Sequence, residues 1–439
     1  MASPTKRGSR RRRTAVLLAA LALTSSTLAA CSGDDSGKAT LNWYINPDGQ
    51  ETLDGVALDC STDDYDIDIQ LLPSSATDQR TQLARRLAAE DSSTDLMSLD
   101  PVFVAEFANA GWLAEFTGDE ASKVIDDDVL QGAAETATWE DKVYAAPQWA
   151  NTQVLWYRKS LAEAAGLDPA QPWTWDQIID AASENDGTVG VQANRYEGYV
   201  VWINAMILGA GGDIISDTED GRDAKVDIDS TAGEDAARII EKLASSPAAQ
   251  PDLSVSNEGT ALGLMYPKDG AGEFLVNWTF VYKNYAGLVE SGGLTQEQFD
   301  DLGWARYPRT VENEESRPPV GGINIGVGAY SKHVDWAKEA AACVSSAKAQ
   351  GQLAVNDGLM PSRGSVYDSQ ELTDAYPADL LDLFRESVDG AGPRPQSAYW
   401  SQVSSAIQSV WHSPTGVDDS TPKRSAEFLS DILAGRRLL

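Results

Sequence analysis

The chain has 439 residues, with 67 Asp and Glu against 34 Lys and Arg, for a formal net charge of −33. So large an acidic excess argues against nucleic acid and anionic lipid as partners, since both are gripped by basic patches. Length argues against a single core, because cores stop growing at roughly 250–300 residues, and two lobes are expected.

Lys6, Arg7 and Arg10 to Arg13 precede an apolar run from Ala15 to Leu23 and then Leu28-Ala29-Ala30-Cys31. A basic start, a short apolar middle and small residues before a cut mark residues 1–30 as a secretory signal peptide. The apolar run is shorter than the about 20 residues that a spanning helix needs. Leu-Ala-Ala-Cys resembles a bacterial lipobox, which implies lipidation of Cys31 and a polar tether over residues 31–40. Removing the signal leaves 28 basic against 67 acidic residues, a net charge of −39 that keeps a body dispersed beside an anionic surface. The expected location is the extracytoplasmic face of the cell membrane, with the lipid as the sole membrane contact.

Beyond the tether, Leu41 to Ile45 predicts a strand, Tyr65, Ile67, Ile69 and Leu71 alternate as a second strand, and Leu83 and Leu87 place a helix over 78–90. Leu96 to Leu99 adds a third strand that ends at Asp100-Pro101, giving a βαβαβ start and a parallel sheet wrapped by helices. Asp63, Asp64, Asp66 and Asp68 lack the Gly and distal Glu of a calcium loop and read as the wet face of the second strand.

From Trp139 onward, 142–147 and 151–157 predict two extended runs joined by Gln148-Trp149-Ala150, followed by a helix over 159–165. Thr174 is the expected N-cap of the next helix. Further helices are expected over 199–208 and 234–244, with strands near 189–192 and 263–265. Ile323 to Val327 predicts another strand, Val334 to Ala349 a helix, and prolines at 361, 377, 393 and 395 punctuate a helical tail.

Cys60 and Cys343 are an even pair in an oxidising compartment, so a disulfide is expected, with two buried thiols as the alternative. Neither cysteine has a neighbour at metal-ligand spacing, and no metal or cofactor is expected.

Several passages carry a family resemblance. Gly111-Trp112-Leu113 with Phe116-Thr117, Tyr144-Ala145-Ala146-Pro147, Val154 to Lys159, Ala164 to Leu167 and Trp173-Thr174-Trp175-Asp176 occur in the order seen in carbohydrate-class extracellular solute-binding proteins. The chain therefore resembles the receptors that serve ATP-binding-cassette sugar importers. Gly392-Pro393-Arg394-Pro395 followed by Tyr399 is similar to a passage of the trehalose and maltose binders, particularly actinobacterial trehalose-binding lipoproteins, although the pattern's second Pro is replaced here by Ser397 or Ala398.

The resemblance implies an α/β, two-lobe periplasmic-binding-protein fold whose hinge is crossed three times. One lobe takes 41–150 and 308–360, the other 151–307 and 361–439. It also implies a monomer that captures a disaccharide or oligosaccharide, trehalose first and maltose-type sugars second, and delivers it to permease subunits.

Ligands of open parallel sheets bind beyond the carboxyl ends of strands, which selects Asn46, Asp48, Gln79 and Asp100. A sugar ring needs an aromatic plate and polar groups at fixed angles, which adds Trp278, Asn151, Glu258 and Tyr399. Asp100 and Arg394 are expected to face each other and grip one glucose, and Gly322, after Gly321, admits a sugar close to backbone.

No catalytic set appears. His333 and His412 are the only histidines, and neither a G-x-S-x-G elbow nor a phosphate-binding loop occurs. Glycoside hydrolysis needs just two carboxylates and is the rival reading. A lipid-anchored scaffold that binds protein is the third.

Overall fold

The computed structural model describes residues 37–438, and its compact body begins at Ala39. The expected signal peptide, the lipidation site Cys31 and most of the tether lie outside the described residues.

The first lobe opens with β1 (Ala39–Ile45), α1 (Gln50–Cys60), β2 (Tyr65–Leu71), α2 (Ala76–Ala88), β3 (Leu96–Leu99) and α3 (Val104–Asn109). Alternation decides β2: Tyr65 and Ile67 are buried while Asp66 and Asp68 face water, as their spacing predicts. Helix α2 starts where the Ser75 side chain accepts from the Asp78 backbone N–H, and it buries Leu83 and Leu87. β1 runs parallel to both β2 and β3.

Next come β4 (Ala145–Arg158), α4 (Trp175–Glu184), β5 (Gly187–Gly190), α5 (Glu197–Gly209), α6 (Thr231–Ser245), β6 (Gly272–Trp278), α7 (Val281–Glu290) and β7 (Leu302–Ala305). Thr174 and Gln177 close a reciprocal capping box on α4. The chain ends with β8 (Val320–Val327), α8 (Val334–Val344), α9 (Ala347–Asp357), α10 (Ala378–Asp389), α11 (Trp400–Trp411) and α12 (Thr421–Leu433).

These strands form one path in the order β2-β1-β3-β8-β4-β6-β5, with β7 also paired to β4. β4 belongs to both lobes. Its first half pairs with β8 as far as Thr152, and from Gln153 it pairs with β6. One apolar cluster backs the first lobe, from Trp43 and Ile45 to Ala337 and Leu353. Another backs the second, from Trp156 and Leu275 to Leu380 and Phe384. A third, larger one runs along the opposite face of both lobes, from Leu83 and Phe107 through Leu155 to Trp202 and Trp411, and a small fourth gathers Val129, Ala133 and Ala150.

Three expectations about local structure need correction. The break expected at Gln148-Trp149-Ala150 is absent, because Trp149 is only 3% exposed and sits in the first lobe's core. Pro147 is tolerated because the ladder slips there: Ile323 faces Trp149 and Asn324 faces Pro147, so Gln148 is the extra residue of a bulge. The strand expected near 263–265 is instead a 3₁₀ turn over Thr260–Leu264, and the true strand is β6. The helix expected over 334–349 is two, since Ser346 caps a fresh helix by accepting from the Ala349 N–H.

Cys60 at the end of α1 and Cys343 in α8 are joined by a disulfide across 283 residues. No described helix is long and apolar enough to cross a membrane.

Candidate functional site

β1 delivers Asn46 to the end of the sheet. Its side chain is 4% exposed, its Nδ2 donates to Asp48 Oδ2 at 2.7 Å, and its Oδ1 has no partner among the described residues. Asp48 is exposed, yet neighbouring protein partly desolvates its carboxyl and raises its pKa above the ordinary carboxylate value despite the Asn46 bond.

Glu258, half-buried in the loop before β6, is shifted the same way. Burial pushes its carboxyl up, and the negative charge of Asp48 pushes it further, while Tyr196 and Trp278 favour the charged form. The two carboxyls therefore interact although 210 positions separate them in the numbering. The Tyr196 hydroxyl lies near Glu258 but forms no bond of proper distance and angle, and it is buried without a partner among the described residues. Asn277 ties the Glu258 loop to β6 by donating from Nδ2 to the Glu258 carbonyl at 2.9 Å.

Trp278, the last residue of β6, lays its ring against Gly321 of β8. A Cβ at Gly321 would come within 2.5 Å of Trp278 Cζ3 and 2.8 Å of Asn151 Oδ1, so only glycine lets the ring and the amide meet there. Asn151 is 8% exposed, pairs with Gly321 across the ladder, and keeps an unpartnered Oδ1. Gly322 has φ of +130°, and a Cβ there would lie 2.1 Å from the Trp149 carbonyl oxygen. Its role in the fold is to let β8 press against β4.

A second cluster continues from the first through adjacent residues, since Tyr196 precedes Glu197 at the start of α5. Arg394 reaches Asp100 with a fork, Nη2 to Oδ1 at 2.7 Å and Nη1 to Oδ2 at 3.2 Å, and Nη1 also donates to Glu197 Oε1 at 2.8 Å. Glu197 further accepts from Trp400 Nε1 at 2.8 Å and from the Ser404 hydroxyl. Burial alone would lower the Arg394 pKa, but the two carboxylates overcompensate and raise it. Ser401 donating to Glu106 and Gln396 donating to the Glu135 carbonyl add to the same seam between the lobes.

Asn46, Asp48, Asn151, Glu258 and Trp278 thus share one group of interactions or adjoin it, and Asp100 and Arg394 form its continuation. Gln79 does not join them: its Nε2 donates to the Pro73 carbonyl at 2.8 Å and fixes the loop before α2. Tyr399 faces elsewhere, its ring 4.8 Å from the Arg222 guanidinium. Sequence reasoning missed Tyr196 and Glu197. The helix predicted over 199–208 starts just after them, and 67 acidic residues hide any one carboxylate.

A two-lobe α/β body joined through a shared strand has the fold of a solute-binding protein. The chain belongs to the bacterial extracellular solute-binding protein family, whose profile matches residues 46–351. Its members are solute-binding proteins, not enzymes. A probable ABC transporter-binding protein of Deinococcus radiodurans is 24% identical over 75% of this chain and 77% of its own. The diacetylchitobiose-binding protein DasA of Streptomyces coelicolor is 23% identical over 77% and 79%. Among solved structures, maltose-bound MalE3 of T. maritima matches with a TM-score of 0.76 at 23% identity, covering 91% of this chain and all of that one. The GacH receptor of Streptomyces glaucescens matches at 0.71 and 24%, covering 91% and 98%.

Proposed function

We propose that this chain is the lipid-anchored, monomeric receptor of an ABC sugar importer, which closes its lobes on a disaccharide and delivers it unaltered to the permease. The observation that carries this reading is the meeting of Trp278 and Asn151 at Gly321, an aromatic plate beside an unpartnered amide oxygen, with the Glu258 loop tied to the same strand by Asn277. Buried polar groups are normally satisfied, so unpartnered ones beside an aromatic face suit a ligand rich in hydroxyls. Relatives named as ABC transporter-binding and sugar-binding proteins support the importer setting.

Trehalose is the first choice and maltose-type sugars the second, on the likeness of the Gly392 to Tyr399 passage to trehalose and maltose binders. Cys31 supplies the anchor, and the lobes divide at 150/151, 307/308 and 360/361. Within these bounds the Asp100 and Arg394 pair closes one end of the cleft.

A thermal-shift screen of the mature chain against trehalose, maltose and other disaccharides tests this. A true ligand at 100 times its dissociation constant adds about 2.7 kcal/mol of stability and is recovered unchanged. Free glucose released at enzymatic turnover would instead make the chain a glycoside hydrolase. Cys31→Ala should free the body from the membrane fraction with sugar binding intact, and retention there would end the lipid-anchor reading.

A further inference from the structure

The strand that carries Trp278 is held differently on its two sides. β6 keeps β4 beside it to the end, with Val276 facing Leu155 and Trp278 facing Gln153. On the other side β5 stops short, and its last pair is Gly190 with Leu275. Past that point side chains take the place of a strand. Gln192 donates from Nε2 to the Val276 carbonyl at 2.8 Å, and the Trp278 N–H donates to Asn277 Oδ1 at 2.9 Å.

Gln192 is itself held from two directions. Its backbone is clamped where the Val191 N–H donates to Gln250 Oε1 at 2.8 Å and the Ala193 N–H to Ser256 Oγ at 3.0 Å. Its side-chain oxygen accepts from Gln153 Nε2 at 2.8 Å, so β4 reaches β6 a second time, through two carboxamides. Chemistry fixes the order of this relay: a carbonyl only accepts, so Gln192 must turn its nitrogen to Val276 and its oxygen to Gln153. Gln153 Oε1 is left as the free end, buried without a partner among the described residues.

Both glutamines are 1% exposed. Two apolar side chains would fill the same space without the cost of burying amides. What the amides add is direction, and they add it to the end of β6. Partners directly opposite in an antiparallel ladder share a face, as do residues two apart in a strand, so Gln153, Asn151, Trp278 and Gly321 lie on one face of the sheet. Gln153 is also the β4 residue at which pairing passes to β6. The relay thus ties the aromatic plate to the point where the two ladders of β4 meet.

We infer that Gln192 and Gln153 are positioning residues of the sugar site, holding the Val276 to Trp278 end of β6 so that the indole meets Asn151 at the angle a sugar ring needs. This rests on the reading of the chain as a sugar receptor with Trp278 as its plate, and adds two residues that act through that plate.

A double-mutant cycle, read by calorimetric titration with trehalose and with maltose, tests it. Gln192→Met and Gln153→Met keep the bulk and remove the amide, and each should weaken binding about fivefold in a chain that circular dichroism shows to be folded. In a Trp278→Ala background the same changes should alter affinity by less than about twofold, because residues that act through one plate are not additive. A merely structural role would lower affinity equally in both backgrounds. One folded Met variant is enough to decide. If Trp278→Ala weakens binding but the Met variants bind like the wild type, or lose as much without the indole as with it, this inference is wrong while the receptor reading stands. It is also wrong if both Met variants unfold, since the relay then serves the fold rather than the site. If neither sugar binds the wild type, or Trp278→Ala binds them unchanged, the reading beneath it fails as well.

Discussion

Asp100 and Arg394 stand 294 positions apart in the chain, yet the fork of one grips both carboxylate oxygens of the other, tying the end of β3 to the segment before α11. The same guanidinium holds Glu197, so one cation serves two carboxylates in a site nearly closed to water. Removing it leaves both without compensation. Arg394→Ala should therefore destabilise the fold by about 3–5 kcal/mol as well as weaken binding. Adding Glu197→Gln to that variant should restore part of the loss in chemical denaturation, because the more deeply buried charge is then gone.

Trp278→Ala should weaken sugar binding at least tenfold, which takes only about 1.4 kcal/mol. Folding should survive, since the ring is partly open rather than part of a core. Gly321→Ala offers a finer test. It keeps the indole but displaces it, so affinity should fall and the Trp fluorescence response to sugar should change. Unaltered titration curves in both variants would place the ligand elsewhere.

Glu273 gives a prediction about pH. Its side chain on β6 is 0% exposed and neither carboxyl oxygen has a hydrogen-bond partner among the described residues, so burial holds its pKa well above 4.5. The native state thus holds this proton more tightly than the unfolded chain does. Stability from it is full below the ordinary value and is lost as pH rises through the raised one, by about 1.4 kcal/mol per pH unit in that window. Asp176 and Asp301, whose values are lowered, act below it. Glu273→Gln should flatten the fall of melting temperature with rising pH, and an unchanged slope would show that another group sets it.

The Cys60 and Cys343 bond closes a long loop, which on the chain-entropy model contributes up to about 5 kcal/mol. Replacing both residues by Ser should lower the denaturation midpoint. Sugar affinity should hold, because α1 and α8 carry none of the cleft side chains named above. A large loss of affinity in a folded double variant would tie the bond to the site.

The sequence was most readable where one local rule acted alone. β2 alternates, α4 begins with Thr174 and its capping partner Gln177, and β3 stops at Asp100-Pro101. It misled where a distant segment decides. Pro147 marks a break by local rules, but the bulge opposite Ile323 and Asn324 absorbs it. β6 reads poorly because both its faces are buried, leaving no alternation to detect. In the site, Trp278, Asn151 and Arg394 stood out as residue types scarce or well placed for sugar. Glu197 did not, since its importance comes from Arg394, Trp400 and Ser404, which the fold alone brings to it.

β4 runs unbroken from Ala145 to Arg158 and hands its hydrogen bonds from β8 to β6 between Thr152 and Gln153. A strand shared in this way acts as a torsion bar. Closure of the lobes as proposed would twist a hydrogen-bonded ribbon, and so would meet an elastic resistance that a loose linker lacks. Asn151 lies beside that handover, so such a twist would carry its amide with it.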